Sequence, residues 1–319
     1  MSGDGFCMKK RVSLAFLLFL MLCCTASSVH AASGREAWVE TREDVFVFRP
    51  VLATYSASLE LATVGGDRSL VFQPNDAVNL EFGFSLWWLG ASISFRLPFT
   101  SQDEDVYGKT MIQDFSLSVW TENFGIDLYG RSCQGFWLEN GADNGIAAPD
   151  GKKYLLYPDL RTTRAGFNMF YVFDERFSFK AALKQSERQR KSAGSWYLEA
   201  SFDAYGVENS GPIVPVALEP VFGELASNVD IFGVCLALGP GYGYSMVWDS
   251  LALTLAGAIE FGWQWRTLVD RGTRGESRDD ALAVKFDLRI ALNWQSGPWF
   301  AGLTVTADVV AGGPGTAQA

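Results

Sequence analysis

Charged side chains recur at alternate positions between apolar residues over much of this chain, and they are its main chemical resource. In an extended segment such charges project to one face, opposite the apolar side chains. They could line a water-filled channel and select its solutes. They could equally fill a narrow interior and pair with one another. The candidates are Glu81, Arg96, Asp114, Asp127, Arg131, Lys180, Glu199, Asp203, Lys285, Asp287 and Arg289.

A second group of charges forms the most basic stretch of the chain. Lys184, Arg188, Arg190 and Lys191 fall within one short segment, predicted as a loop. Clustered cations of this kind can bind the phosphates of lipopolysaccharide or an acidic partner. A solvated loop, or pairing with Glu187 and with acids of the interior, explains the same pattern. Both interpretations stay open at this point.

Most catalytic and metal chemistry is excluded by composition. The one histidine, His30, lies in the predicted leader described below, so histidine-dependent catalysis and histidine metal sites are absent from the mature chain. Cys133 and Cys235 are far apart and predict neither a zinc site nor a disulfide. There is no phosphate-binding glycine motif. Carboxylate-only catalysis stays open, but spacing singles out no pair. We predict no catalytic residues, no metal, no cofactor and no enzymatic activity.

The first 31 residues have the pattern of a signal peptide. Basic residues at positions 9–11 precede the apolar run Val12–Cys24, and small residues lead to a cleavage site after Ala31. The protein is therefore predicted to be exported, with residues 32–43 as a periplasmic lead-in. The net charge of −10 argues against nucleic acid as a partner.

The elements that would position the charges are strands. In Val78–Pro98 apolar and polar residues alternate on both sides of a tight link, which predicts a β-hairpin with one apolar face. The same period recurs further along, and short turns separate many of the segments. The other predicted strands are Asp44–Leu61, Ile112–Trp120, Phe124–Leu138, Arg161–Phe173, Phe177–Leu183, Trp196–Tyr205, Asp230–Met246, Leu251–Trp265, Ala281–Asn293 and Trp299–Val310.

These strands predict an all-β fold, an antiparallel up-and-down transmembrane β-barrel of about 12 strands over residues 44–310. Strands are long enough to cross a bilayer, and tryptophans cluster near their ends, as in interfacial girdles. We expect a protein of the cell outer membrane, inserted by the barrel assembly machinery, that acts as a passive small-solute channel or as a structural or surface barrel. The alternative is a soluble periplasmic barrel that binds an apolar ligand inside. The two differ in whether apolar side chains such as Leu80, Phe82, Phe84, Ile93 and Phe95 point outward or inward.

Two features fit this scheme poorly. With Phe177–Leu183 counted as a strand, the long connection Gly206–Ser227 falls on the side of the short turns. Residues 311–319 are polar and rich in glycine, without a final strand that ends in an aromatic residue. We expect them to be a disordered tail or a truncated end that lacks one or more C-terminal strands.

An ordered set of segments resembles an uncharacterised bacterial family, domain-of-unknown-function family 4421. The resemblance covers most of the mature chain and implies an exported, barrel-like protein, typical of outer membranes in the Bacteroidetes. It implies no biochemical activity. The matching segments include Gln73–Asp76, Tyr107–Thr110, Phe124–Asp127, Gly135–Leu138, Tyr157–Leu160 and, most densely, Phe177–Gly194.

Overall fold

The computed structural model describes residues 34–41, 46–54, 58–63, 68–75, 77–86, 88–149, 151–223, 229–312 and 317–318. The predicted signal peptide lies outside the described residues. The fold is all-β and antiparallel, which confirms the predicted class. No helix among the described residues has the length and apolar character needed to span a membrane.

Sixteen strands are described. They are β1 Val39–Thr41, β2 Val47–Thr54, β3 Leu59–Ala62, β4 Ser69–Pro74, β5 Val78–Leu86, β6 Leu89–Arg96, β7 Met111–Trp120, β8 Phe124–Leu138, β9 Leu156–Val172, β10 Glu187–Gln189, β11 Ala193–Glu208, β12 Val229–Trp248, β13 Leu251–Asp270, β14 Glu276–Ser296, β15 Trp299–Gly312 and β16 Ala317–Gln318. The helices are all short. They are the 3₁₀ turns Arg35–Ala37, Pro98–Thr100, Ala142–Asn144 and Val216–Leu218, the α-helices Glu104–Tyr107 and Glu219–Phe222, and the π-helix Lys180–Lys184.

One large sheet contains fourteen of these strands. Its main path runs β15-β14-β13-β12-β11-β9-β8-β7-β6-β5-β2, and each strand pairs antiparallel with the next. The sheet curls into a half-barrel, with β2 and β15 at the two ends of that path. Pro50 is tolerated in β2 because an end strand needs no ladder bond on its free side. Closure of the sheet into a barrel stays a prediction.

The two ends of the half-barrel differ in their connections. At one end, which we call the short-turn end, tight links join β5 to β6, β7 to β8, β12 to β13 and β14 to β15. At the other, the long-loop end, longer segments join β6 to β7, β8 to β9 and β11 to β12. The N-terminal strand β1 pairs with β10 at the short-turn end.

The predicted strand Phe177–Leu183 is wrong. After β9 the chain makes an excursion, residues 174–192, that contains the π-helix Lys180–Lys184 and β10 before β11 begins. We call this excursion the plug, because it lies against the concave face of the sheet. With one strand fewer in the count, the connection from β11 to β12 falls at the long-loop end, which removes the inconsistency. Phe177 and Phe179 alternate with polar residues as the residues of a strand do. Their rings nevertheless pack in the interior apolar cluster and not on one face of a strand.

The two faces of the sheet have reversed polarity relative to a water-soluble barrel. On β14, Leu282 and Phe286 on the convex face are 68% and 46% exposed, whereas Lys285 on the concave face is 1% exposed. The same alternation runs along the neighbouring strands β12 and β13. Of the residues proposed to discriminate the two barrel types, Phe84, Ile93 and Phe95 are exposed. Apolar side chains therefore cover the outside, and charges are buried within.

Candidate functional site

The concave face has three levels, and the inward-facing residues of β11 pass through all of them. Tyr197 lies near the short-turn end, in an apolar cluster with the plug. Glu199 and Asp203, both buried, lie in the middle. Val207 belongs to a second apolar cluster at the long-loop end. A charged level is thus enclosed between two apolar ones.

The charged level is built from several strands, because curling of the sheet brings distant strands face to face. We call it the charged layer. Its members are Arg164 on β9, Glu199 and Asp203 on β11, Glu260 on β13, Lys285, Asp287 and Arg289 on β14, and Asp308 on β15.

Arg289 is the centre of one half of this layer. Its guanidinium donates to the carboxylate of Glu199 across the interior, and its Nε lies 2.9 Å from Asp287. The same guanidinium lies 5.6 Å from the ring of Phe179 in the plug. Arg289 therefore joins the charged layer to the plug, since cations are attracted to aromatic faces.

Lys285 and Arg164 organise the other half. Lys285 Nζ lies 3.7 Å from Glu260 and 3.8 Å from Asp203, and it donates to Asn168 at 3.2 Å. Arg164 contacts Asp203 at 2.8 Å and Asp308 at 2.9 Å. Acids outnumber bases in the layer by five to three, so its field favours cations.

The plug closes the short-turn end through an aromatic cluster. The ring of Phe179 lies 4.9 Å from Phe177, 5.0 Å from Phe170 and 5.1 Å from Tyr197, each close to edge-on. Edge-to-face packing adds about 0.5–1.5 kcal/mol per pair to the burial of the rings. The neighbouring wall is shaped to receive them: a Cβ atom added to Gly243 on β12 would lie 2.6 Å from Phe177 Cζ.

Polar contacts attach the plug to strands on opposite sides of the sheet. Lys184 donates to Ser118 at 2.7 Å and to Asp127 at 3.2 Å. Burial lowers the pKa of the Lys184 ammonium, while Asp127 acts in the opposite direction. Arg49 on β2 donates to the Leu183 carbonyl at 2.6 Å. Near the other end of the sheet, Asn293 on β14 donates to the Ala182 carbonyl of the plug at 2.7 Å, so the plug contacts strands toward both ends.

A buried carboxylate holds the plug to the N-terminal segment. Glu187 is fully buried and accepts hydrogen bonds from Arg35 at 2.7 Å and from Ser178 at 2.5 Å. Lys180 Nζ lies 3.3 Å from the other carboxylate oxygen. Two cations around one buried acid satisfy the electrostatic requirement for burial. Arg35 lies in the predicted lead-in and packs against the plug.

The long-loop end is closed by a more ordinary hydrophobic core. The β3–β4 hairpin folds over this end and pairs with β8. Its Leu61 and Phe72 pack with Leu218 and Phe222 from the connection between β11 and β12. We call this assembly the cap. Each fully buried side chain of this size contributes about 1.5–3 kcal/mol.

The predicted interior charges divide into several groups. Glu199, Asp203, Lys285, Asp287 and Arg289 meet in the charged layer, as described above. Asp114 and Arg131 form a separate pair at 2.5 Å between β7 and β8. Asp127 on β8 contacts Lys184 of the plug, and Lys180 belongs to the plug itself. Glu81 attracts Arg49, and Arg96 donates to the Asn75 carbonyl at 2.9 Å.

The predicted basic loop lies in and beside the plug, at the short-turn end. Lys184 points into the interior, whereas Arg188 donates to the Asp249 carbonyl at 3.2 Å. Arg190 lies 3.2 Å from Glu40, and Lys191 lies 5.3 Å from the ring of Trp38. The four cations therefore contact different partners and do not converge on one phosphate-sized position.

The list of interior charges predicted from the sequence omits three members of the charged layer. Glu260, Arg164 and Asp308 occupy inward-facing positions of strands that were predicted, so strict continuation of the alternation would have found them. Arg35 lay outside any predicted strand. Within the described residues no group of acids, cysteines or histidines has the arrangement of a metal site. Cys133 and Cys235 are both buried and are not joined by a disulfide.

Fold and interior together define a class: an all-β protein whose curled antiparallel sheet is apolar outside and charged inside. The family model "Domain of unknown function (DUF4421)" matches residues 35–313. The chain belongs to this family, as its ordered segments predicted. No curated protein and no solved structure matches the chain.

Proposed function

We propose that this protein is an outer-membrane β-barrel with a passive role, closed at rest by its plug and without enzymatic activity. The main support for the proposal is that the sheet is apolar on its outer face and charged on its inner face. Exposure of apolar side chains costs free energy in water but is favourable in lipid, and the charges buried inside compensate one another.

The height of the apolar surface supports this proposal. On the convex face of β14 the apolar series runs from Leu282 to Trp294, and the outward-facing Asp280 follows immediately beyond Leu282. These twelve steps correspond to about 40 Å along the strand and about 30 Å along the membrane normal at a tilt near 40°. An apolar band of about 25 Å with aromatic girdles is expected for this class.

Membrane insertion requires the sheet to close. Unpaired backbone groups at β2 and β15 would be costly in lipid, because no water can satisfy them there. We propose that further pairing joins these two ends. The contacts of Arg49 on β2 and of Asn293 on β14 with the same plug segment support an arrangement in which both ends face a common interior.

Orientation follows from the connections. Short turns face the periplasm and longer loops face outward in this class of barrels. We therefore propose that the plug and β1 lie on the periplasmic side, which would suit a chain exported through its N terminus. Insertion would then use the barrel assembly machinery, and the primary partner would be outer-membrane lipid.

The contents of the interior favour a closed barrel over the alternative of a soluble carrier for an apolar ligand. The middle of the concave face holds paired charges, and apolar clusters occupy both ends. A carrier of apolar ligands would need the opposite polarity. Solute passage would require displacement of both the plug and the cap, so we favour a structural or surface role in the resting state.

The test is to refold the full chain in detergent, add it to lipid vesicles and record single-channel current in planar bilayers. We expect protease-resistant insertion with little or no steady current. Retention in the aqueous phase would overturn the membrane proposal. A steady current through inserted wild-type protein would overturn closure by the plug and favour an open channel.

A further inference from the structure

A ladder of cross-strand pairs on the convex face of β9 and β11 differs from the rest of the outer surface. Arg161 is paired with Glu208 at the long-loop end. The next three outward-facing pairs toward the membrane centre are Thr163 with Gly206, Ala165 with Ala204, and Phe167 with Phe202. Polar, small and aromatic levels therefore follow one another at steps of about 7 Å.

The polar level is a concave notch. This notch is a surface depression of about 350 Å³, largely open to solvent, and it is lined by Arg161 and Glu208 together with Gln134, Asp159 and Arg271. Residues from three adjacent strands meet here because Arg161 is in register with Gln134 on one side and with Glu208 on the other. A depression of this size can hold a small polar group.

The charges of the notch are only partly satisfied. Arg271 binds Asp230 through two hydrogen bonds, at 2.7 and 2.5 Å. Arg161 uses one Nη group to donate to Gln134 at 2.7 Å and retains further N–H donors. Within the described part of the chain the exposed Glu208 makes no hydrogen bond, although its charge interacts with that of Arg271 and it is paired in register with Arg161. One cation and one anion are thus available side by side.

Below the notch the surface is shallow. A Cβ atom added to Gly206 would have its nearest neighbour 3.9 Å away, so this position is open. Thr163, Gly206, Ala165 and Ala204 form a shallow groove that runs from the notch toward the membrane centre. At the far end of this groove the rings of Phe167 and Phe202 stack at a centroid distance of 5.7 Å. Small side chains bounded by aromatic ones leave room for one acyl chain against the wall.

We propose that this ladder is a binding site for one membrane lipid whose headgroup carries both a phosphate and a primary amine. Arg161 would bind the phosphate, and Glu208 would accept hydrogen bonds from the ammonium group. The part of the lipid that joins the headgroup to its acyl chains would lie at Thr163 and Gly206, with an acyl chain over Ala204. The acids Asp159, Glu208 and Asp230 outnumber the cations Arg161 and Arg271, which favours an amine-bearing headgroup over a purely anionic one. The inference rests on the proposed membrane location.

The experiment is a calorimetric titration of the folded full chain in detergent micelles. The probes are dihexanoyl phosphatidylethanolamine, dihexanoyl phosphatidylcholine and glycerophosphoethanolamine, which has the headgroup without acyl chains. We expect the ethanolamine lipid to bind about tenfold more tightly than the choline lipid, because a quaternary ammonium offers Glu208 no N–H donor. Equal affinities would overturn the proposal.

Three substitutions separate the levels of the site. Glu208→Gln should remove the preference for ethanolamine over choline, whereas Arg161→Gln should weaken both lipids by a similar factor of about ten. Ala204→Leu should weaken the lipid and leave glycerophosphoethanolamine unaffected, since only the groove is filled. The control is Arg278→Gln, because Arg278 is exposed on β14 and paired with Glu276 outside the notch. An effect of the control as large as that of Arg161→Gln would refute a built site.

Insertion of each variant into vesicles is measured in parallel. Insertion without headgroup preference would refute the lipid site and leave the membrane proposal intact. Headgroup preference in micelles without insertion would refute the membrane location and, with it, the assignment of a resident membrane lipid.

Discussion

Arg289 on β14 donates a hydrogen bond to the buried carboxylate of Glu199 on β11, two strands that do not pair with each other. The contact crosses the concave face, so it reports the curvature of the sheet. It also connects to the plug, because the same guanidinium lies against Phe179. Disturbing this residue should affect the stability of the whole interior.

We expect Arg289→Ala to lower the free energy of unfolding by about 3–5 kcal/mol, since Glu199 would remain buried without its cation. Urea unfolding of the refolded protein in micelles measures this. The double variant Glu199→Gln with Arg289→Met should be less destabilised than Arg289→Ala alone, because Glu199 then carries no charge and only Asp287 loses its contact with Arg289. A smaller loss in the single variant than in the double one would contradict the assigned pair.

Gly243→Ala should loosen the plug. The added methyl group would lie 2.6 Å from Phe177 Cζ, and overpacking of this kind costs about 1–3 kcal/mol. Limited proteolysis should cut within residues 174–192 faster than in the wild type. Gly206→Ala is the matched control, because that position on the outer face is open. Equal cleavage rates for Gly243→Ala and wild type would show that the plug does not depend on this contact.

Glu187→Gln should release the N-terminal segment from the plug. Arg35 and Lys180 would be left buried without their shared carboxylate, at a cost of about 3–5 kcal/mol. Hydrogen exchange should increase at the backbone of β1 and β10. Glu40→Gln removes the exposed pair with Arg190 and should change stability by no more than about 1 kcal/mol. The prediction is wrong if both variants behave alike.

A variant in which flexible linkers replace residues 176–190 of the plug and residues 59–74 and 212–223 of the cap should be a cation-selective pore, if the membrane proposal holds, because both ends of the interior are then open. The charged layer carries five acids and three bases, so it should favour potassium over chloride. The reversal potential in a potassium chloride gradient measures this. Adding Asp203→Asn and Glu260→Gln should reduce the selectivity, and anion selectivity of the first variant would refute the role of the layer.

Most of the sheet could be predicted from alternation. The Val78–Pro98 hairpin appears as β5 and β6, and the reversed faces of β12 to β14 follow the same period. Phe177–Leu183 could not be assigned in this way, because Phe177 and Phe179 resemble outward-facing strand residues but pack in an interior aromatic cluster. A period of two over only a few residues does not distinguish a strand of the sheet from an interior segment of this kind.

The sequence alone determined the all-β class and which side chains share a face, since both depend on local backbone geometry. Only the tertiary structure decided which charges meet. Arg289 and Glu199 lie ninety residues apart, and Arg35 is separated from Glu187 by more than one hundred and fifty. These pairs depend on the curvature of the sheet and on the path of the plug through its concave face. No local pattern encodes either property, because long-range packing sets both.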